Sequence, residues 1–294
     1  MNLTFALLTT ILVVGCNASP KVSEGSASSS KATSAEAPYI WGNTTFPKNL
    51  QYATNFNDGE KVAITQMADA WQNNVGNYNF FDFGALTNTT YNLNAPDAVL
   101  GVYKATSWPP EISEDALAIT QLFGRRYNVG RVDEYVSIVH ADILVNYAPD
   151  SFGDTFKFDY DDTNPDVSGF DLRSVMLHEF GHFLGLQHIP TWFNKPSTDT
   201  ATTQTQYKAS SVMYPSISST DSKRIPQAKD INVLAYKYSI GGAASAIAGD
   251  PETAYVPGEG DQGLETKIIL ELKKDGECVH HENGVVIKRH RVEL

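Results

Sequence analysis

The run HEFGHFLGLQH at residues 178–188 constrains this chain more than any other feature of its sequence. His178 and His182 are four residues apart, so on an α-helix their imidazoles lie on one face and can bind the same metal ion. Gly185 can adopt the left-handed conformation that ends a helix, and the turn it permits brings His188 back as a third nitrogen ligand. The run therefore predicts a helix, a tight turn and a three-histidine metal site.

The metal and its chemistry follow from the residue types. Three neutral imidazoles with one open position favour Zn²⁺, which is bound tetrahedrally and keeps water in its fourth position when it is catalytic. Iron and copper also accept imidazole, so zinc is inferred from the ligands and the motif together. Glu179 lies one position round the helix, where a carboxylate can act as a general base on that water.

Several segments resemble a known family. H-E-x-x-H-x-x-G-x-x-H resembles the zinc signature of the metzincin peptidases, and SVMYP at 211–215 resembles their Met-turn. In that family the methionine lies beneath the metal as an apolar floor, which implies that Met213 is structural and not a ligand. Tyr214 and Pro215, directly after the methionine, are similar to the residues found there in the matrixin branch of the family. HADILVNY at 140–147 and GDTFKFDYDD at 153–162 are similar to two further matrixin segments.

The resemblance covers about residues 38–240 and implies an α+β catalytic domain of the metzincin type. Such a domain has a twisted mixed sheet packed against long helices and a small C-terminal subdomain. The implied activity is that of a zinc-dependent endopeptidase with a protein or peptide substrate. Matrixins form the wall of their main specificity pocket after the Met-turn, so Pro215 and Ile217 are candidates for that wall.

The resemblance also bears on further metal ions. The loop that carries a second zinc in animal matrixins is shortened here to residues 148–152, so one zinc per chain is expected. Asp159, Asp161 and Asp162 form either an oxygen-rich calcium site or a solvated acidic loop. His140 is interpreted as a strand residue and not as a ligand.

Hydrophobic spacing predicts the remaining elements of the catalytic region. Apolar residues recur at helical intervals from Ile64 to Val75, after a cap signal at Asn57-Asp58, and predict a helix of about 15 residues. Strands are predicted within 41–56, at 98–106 and at 135–147, and the active-site helix at 172–184.

Beyond residue 240 the composition changes to Gly, Ala, Pro and acidic residues, which is typical of a linker. Three short strands, at 266–272, 277–281 and 285–292, are then predicted, joined by Asp-Gly and Asn-Gly turns. Residues 241–294 are therefore interpreted as a linker and a small β-rich extension, either separate or docked on the catalytic domain. Its histidines are interpreted as strand side chains in preference to a second metal site: His280, His281 and His290.

The N-terminal segment predicts export. Residues 1–15 contain a short apolar stretch suited to a signal peptide, and LVVGC at 12–16 resembles the lipobox of bacterial lipoproteins, in which Cys16 is lipidated. Residues 16–37 are rich in Ser, Ala, Thr, Lys and Glu and predict a flexible tether. An extracytoplasmic enzyme anchored to a membrane, the outer one where the cell has two, is favoured over a plainly secreted one.

The charge and cysteine content of the chain indicate which partners and which covalent cross-links to expect. The chain carries 34 acidic and 22 basic residues, a net charge of −12, with no basic cluster before its last residues. Nucleic acid is therefore an improbable partner. If Cys16 is lipidated, Cys278 has no cysteine with which to pair, so no intrachain disulfide is expected. The sequence does not indicate an oligomeric state.

Two functional classes remain. The first is a zinc endopeptidase that cleaves extracytoplasmic proteins with Glu179 as general base. The second is a lipid-anchored binding or adhesion protein that keeps the fold without turnover. Residues 189–212, a long polar segment with interspersed aromatic residues, are interpreted either as a flap that sets specificity or as a passive insertion.

Overall fold

The structure is a computed structural model. The residues it describes are 37–42, 46–85, 90–131, 133–161, 168–188, 211–215, 217–240, 257–274 and 277–291. Ala35–Leu294 form one unit. The predicted signal peptide, lipobox and tether lie outside the described residues, apart from Ala37, and stay predictions. None of the described helices is long and apolar enough to cross a bilayer.

Two long antiparallel strands form the centre of the main sheet, β5 (Ala116–Tyr127) and β6 (Tyr135–Asn146). Most of their residues are buried, because near-continuous apolar runs suit strands that are covered on both faces. The other strands of this sheet are β1 (Tyr39–Trp41), β2 (Lys48–Tyr52), β3 (Phe81–Ala85), β4 (Leu100–Ala105), β9 (Leu264–Lys273), β10 (Glu277–Glu282) and β11 (Val285–Arg291). Two short strands, β7 (Phe158–Asp159) and β8 (Phe170–Asp171), pair separately.

The strand order of the main sheet is β11-β10-β9-β5-β6-β4-β2-β3, and β1 also pairs with β6. Pairing is parallel from β6 through β4 and β2 to β3, and antiparallel from β6 through β5 and β9 to β11. The predicted α+β fold class with a large mixed sheet is therefore confirmed, and it is consistent with a metzincin-like catalytic domain.

Three helices are described: α1 (Asp58–Asn74), α2 (Leu172–Phe183) and α3 (Ala228–Lys237). The predicted cap of α1 is present, since Asn57 accepts from the Glu60 amide and Glu60 accepts from the Asn57 amide, each at 2.8 Å. Trp71, from the apolar face of α1, donates through Nε1 to the carbonyl of Leu177 at 2.9 Å. This bond joins α1 to α2.

Two strand predictions differ from the structure. The range 41–56 contains only the last residue of β1 and the whole of β2, with Phe46-Pro47 between them, and not a single strand. Proline has no N–H to give to a strand ladder, which accounts for the break. Strand β5 was not predicted, because its buried apolar run lacks the alternation that marks a half-exposed strand.

The C-terminal strands extend the main sheet. Strand β9 runs antiparallel to β5, with Ala118 opposite Leu272 and Thr120 opposite Leu270. Strands β10 and β11 follow through a turn at Asn283-Gly284, where φ is 50° and 78°. Positive φ at both residues is typical of the predicted Asn-Gly hairpin turn. Of the two arrangements that the sequence left open, the structure has the docked one.

Candidate active site

Helix α2 carries the metal motif and is buried on all sides. Asp171 caps its N-terminus by accepting from the Ser174 amide at 3.1 Å. The same carboxylate accepts two bonds from Arg224, at 3.0 and 2.9 Å. This end of the helix is therefore fixed by a bidentate charge pair.

The turn after α2 requires glycine. Gly185 has φ +84°, and a Cβ on it would lie 2.3 Å from the carbonyl oxygen of Tyr39. The side chain of Trp41 donates to the Phe183 carbonyl at 2.8 Å and so joins β1 to the last turn of α2. The backbone consequently reverses against β1 and leads directly to His188.

The three motif histidines converge as predicted. His188 Nε2 lies 3.0 Å from His178 Nε2 and 2.9 Å from His182 Nε2. Among the described residues, these three form the one cluster of His, Cys, Asp or Glu with the ligand spacing of a metal site. Burial lowers the pKa of His178 to about 3 and holds that of His182 well below its usual value, so both rings are neutral near pH 7.

The outer ring nitrogens determine where the protons lie. His178 Nδ1 is 2.7 Å from the carbonyl oxygen of Val212, and His182 Nδ1 is 2.7 Å from that of Leu186. A carbonyl can only accept, so each Nδ1 carries the hydrogen and each Nε2 presents a lone pair. Lone pairs about 3 Å apart repel unless a cation lies between them, and tetrahedral ligands at zinc distances are separated by about 3.3 Å. The donor set therefore fits one zinc ion.

Glu179 is fully buried beside this cluster. Thr120 of β5 donates to Glu179 Oε2 at 2.5 Å, whereas Oε1 has no hydrogen-bond partner among the described residues. Burial raises the pKa of Glu179 to about 8, and the Thr120 bond acts in the opposite direction. When this carboxyl group is ionised, the oxygen without a hydrogen-bond partner is the one that can accept a proton.

Met213 lies against the motif helix. A Cβ on Gly181 would come within 2.3 Å of Met213 Sδ, so the glycine inside the motif makes room for the sulfur. The Met-turn is held by Asp230 of α3, which accepts from Ser211 Oγ at 2.5 Å and from the Val212 amide at 3.0 Å. Because the Val212 carbonyl accepts from His178, Asp230 is linked through this turn to the histidine cluster.

His280 approaches the third ligand from outside the motif. Its Nε2 lies 2.7 Å from His188 Nδ1, and its side chain is fully buried. It therefore completes the set of partners of the three Nδ1 atoms, after Val212 and Leu186. The interpretation of His280 as a plain strand side chain missed this contact, because it depends on β10 lying over the site. His281 points elsewhere and contacts Glu271 at 2.7 Å.

A small cavity lies beside His178. Its lining residues are Ser174, His178, Val212, Tyr214, Ile217, Lys223 and Leu272. Of the two candidates for the wall of the specificity pocket, Ile217 lines this cavity and Pro215 does not. Leu272, from β9, is the lining residue that comes from the C-terminal strands.

Other predicted residues lie apart from the cluster. His140 is a β6 residue whose Nε2 is 2.9 Å from Asp142 Oδ2. Asp159 accepts from the Asp161 amide at 2.9 Å, and nothing in the described residues supports a calcium site there. Some predicted residues lie outside the described ones: Asp162, residues 189–210 and Cys16. Cys278 and His290 lie in described strands, but their side chains are not described.

Three site residues were missed from the sequence: Thr120, Asp230 in its role at the Met-turn, and Leu272. Thr120 lies in a strand that was not predicted, although the run ALAITQLF was a detectable signal for a buried strand. Leu272 was placed in a strand, but no local pattern shows which sheet edge a strand joins.

Comparison with known proteins gives one family match. The model of the family Peptidase_M10, matrixin, matches residues 138–193, which include most of β6, helix α2 and the three motif histidines. No curated protein gives a significant match. The match supports a matrixin-like metallopeptidase, a hydrolase of peptide or protein substrates, and the histidine cluster is compatible with it.

Proposed function

We propose that this chain is a zinc-dependent endopeptidase that hydrolyses peptide bonds of extracytoplasmic proteins, with Glu179 as the general base. One observation carries the proposal. Three buried Nε2 atoms face one point, their outer nitrogens are all engaged, and the adjacent carboxylate keeps an unpaired oxygen.

The residues of the chain have separate parts in this chemistry. Zn²⁺ held by the three histidines would polarise the scissile carbonyl and lower the pKa of a coordinated water. Thr120 fixes one oxygen of Glu179, so the other is oriented to take a proton and later to return it to the leaving amine. The partners of the Nδ1 atoms hold the rings in the tautomer that presents Nε2 inward.

The site of action is also a proposal. LVVGC at 12–16 supports export and lipidation at Cys16, and it would hold the catalytic domain on a tether of about twenty residues at a membrane surface. The substrates would then be proteins or peptides outside the cytoplasm.

Two substitutions test metal and base separately. Glu179→Ala should keep one zinc per chain and lose nearly all peptide cleavage, about 100-fold or more, because general-base catalysis is removed while the ligands stay. His182→Ala should lose the zinc itself. Zinc per chain after dialysis and cleavage of a diverse peptide set are the measurements, and Glu265→Ala, an exposed glutamate of β9, is the control.

Full cleavage by the Glu179 variant would contradict the mechanism. A zinc ratio near two would show that a second site had been missed. Wild-type protein that binds zinc and cleaves no peptide, even after the C-terminal strands are loosened as described below, would favour the alternative of a binding or adhesion protein.

A further inference from the structure

We propose that the C-terminal strands β9 and β10 close the active site, and that a peptide substrate reaches the metal centre only after β9 has left β5. The substrate part rests on the proposed function. The closure is a property of the strands and can be measured without any peptide cleavage.

Strand β9 lies directly over the catalytic carboxylate. Thr120 of β5 bonds to Glu179 and pairs with Leu270 of β9, and the next position on the same face pairs Ala118 with Leu272. Directly paired residues project to the same face of a sheet, so Leu270 and Leu272 face α2. Leu272 then forms part of the wall of the cavity beside His178.

Strand β10 covers the other side of the cluster. His280 pairs with Leu270 and so projects to the same face, where it contacts His188 at 2.7 Å. The exposed fraction is 2% for His178 and 0% for Glu179, His182 and His188. A polypeptide cannot reach side chains that are this buried, so turnover requires that the cover move.

The displaced strand indicates what would replace it. When β9 leaves, β5 becomes a sheet edge with unpaired N–H and C=O groups beside Glu179, and an extended peptide can add to such an edge. The backbone hydrogen bonds that β5 loses when β9 leaves would be replaced by hydrogen bonds to the substrate, so the net change in hydrogen-bonding free energy is small.

Strand β9 is therefore an internal competitor of any peptide that pairs with β5, and it carries the run IILEL at 268–272.

A reversible cross-link tests whether β9 must move. Arg125 pairs with Glu265 at the start of β9, so Arg125→Cys with Glu265→Cys should form a disulfide that holds β9 on β5. The background carries Cys16→Ser and Cys278→Ser, so that no other thiol is present. We expect at least 10-fold slower peptide cleavage in the oxidised form and recovery on reduction with a phosphine, with zinc content unchanged.

The matched control shares one position. Arg125 also pairs with Ser137 on the opposite side of β5, so Arg125→Cys with Ser137→Cys links β5 to β6, and oxidation there should not change cleavage. Equal cleavage by the oxidised and reduced forms of the β5–β9 variant would overturn the proposal.

Zinc extraction by a soluble chelator gives a readout that does not depend on catalysis. Oxidation of the β5–β9 pair should slow zinc loss, and oxidation of the β5–β6 pair should not. If no form cleaves peptides yet extraction is slowed, the closure stands and the proposed function fails. Equal extraction rates overturn the closure.

A second variant loosens the cover without a cross-link. Leu272→Asp places a carboxylate in the cavity and should release β9, which raises cleavage and speeds zinc extraction several-fold. Ile287→Asp introduces the same charge at a half-exposed position of β11 and should change neither rate. A Leu272 variant that is folded, as shown by its circular dichroism, and has wild-type rates in both assays would contradict the proposal.

Discussion

The amine of Lys237 is buried between β1 and the turn after α2. Its Nζ lies 2.5 Å from the carbonyl oxygen of Tyr39 and 2.7 Å from that of Gly185. Burial lowers its pKa from 10.5 to about 7. A neutral amine has two N–H donors, which is the number that the two carbonyls accept. This side chain therefore joins three elements at the base of the metal motif.

The lowered pKa of Lys237 predicts a pH dependence of stability. Between pH 7 and 10.5 the unfolded chain binds a proton at this group that the folded chain has lost, so stability increases as the pH rises through that window. The slope from this group is at most about 1.4 kcal/mol per pH unit. The stability of wild type relative to Lys237→Met should therefore increase from pH 7 to 10, measured by urea unfolding of both proteins.

A constant difference between wild type and Lys237→Met over this pH range would show that the amine of Lys237 is not buried as described.

At the scale of residues, the sequence predicts the role of a side chain when the residues that it contacts are close to it in the chain. His178, Glu179, His182 and His188 were predicted because one helix and one turn place them together. Thr120 and His280 contact this group from 59 and 92 residues away, and nothing in a local pattern indicates such pairs.

At the scale of elements, helix α3 and the Met-turn form one unit through Asp230. Its buried carboxylate accepts from Ser211, from the Val212 amide and from the Gln227 amide, the last at 2.8 Å. The turn then presents the Val212 carbonyl to His178. The carboxylate thus orders a segment that has little secondary structure of its own.

Asp230→Ala should leave the buried Val212 amide, the partly buried Gln227 amide and the Ser211 hydroxyl without this acceptor. We expect a loss of about 2–5 kcal/mol in the free energy of unfolding. Faster zinc loss is also expected, because the acceptor of His178 is no longer fixed. Denaturant unfolding and chelator competition are the measurements.

Asp221→Ala provides the comparison, because Asp221 accepts from the Ser218 amide in a nearby turn that is only partly buried. Its effect on unfolding should be below about 1 kcal/mol. Equal effects of the two substitutions would contradict the role of Asp230 at the Met-turn.

Elements were predictable where their signals are local. Helix α1 has both its cap and its apolar stripe in one short segment, and α2 has the motif. The partner of each strand is not a local property. The three C-terminal strands were predicted, but their position in the sheet was not. Pairing of β9 with β5 joins segments about 150 residues apart in the chain, and no local pattern indicates such a pairing.

At the scale of the whole molecule, the remaining prediction concerns anchorage. Lipidation adds apolar chains whose burial holds a protein on a membrane, so Cys16→Ser should move the protein from the membrane fraction to the soluble one, or stall its processing. Fractionation and the mass of the mature N-terminus are the measurements. Cys278→Ser should leave both unchanged, and a Cys16 variant that is processed and membrane-bound as before would show that the lipobox interpretation is wrong.

Strand β9 also determines what the molecule presents to other copies of itself. Without it, the sheet would end at β5, a twelve-residue strand that is apolar over most of its length. Such an edge is a template for intermolecular strand pairing. With it, the sheet ends at β11, whose sequence carries KRHR at 288–291. Positive charges on an outermost strand oppose aggregation. We therefore expect a chain shortened before Leu264 to expose the proposed catalytic centre and the apolar edge of β5 together.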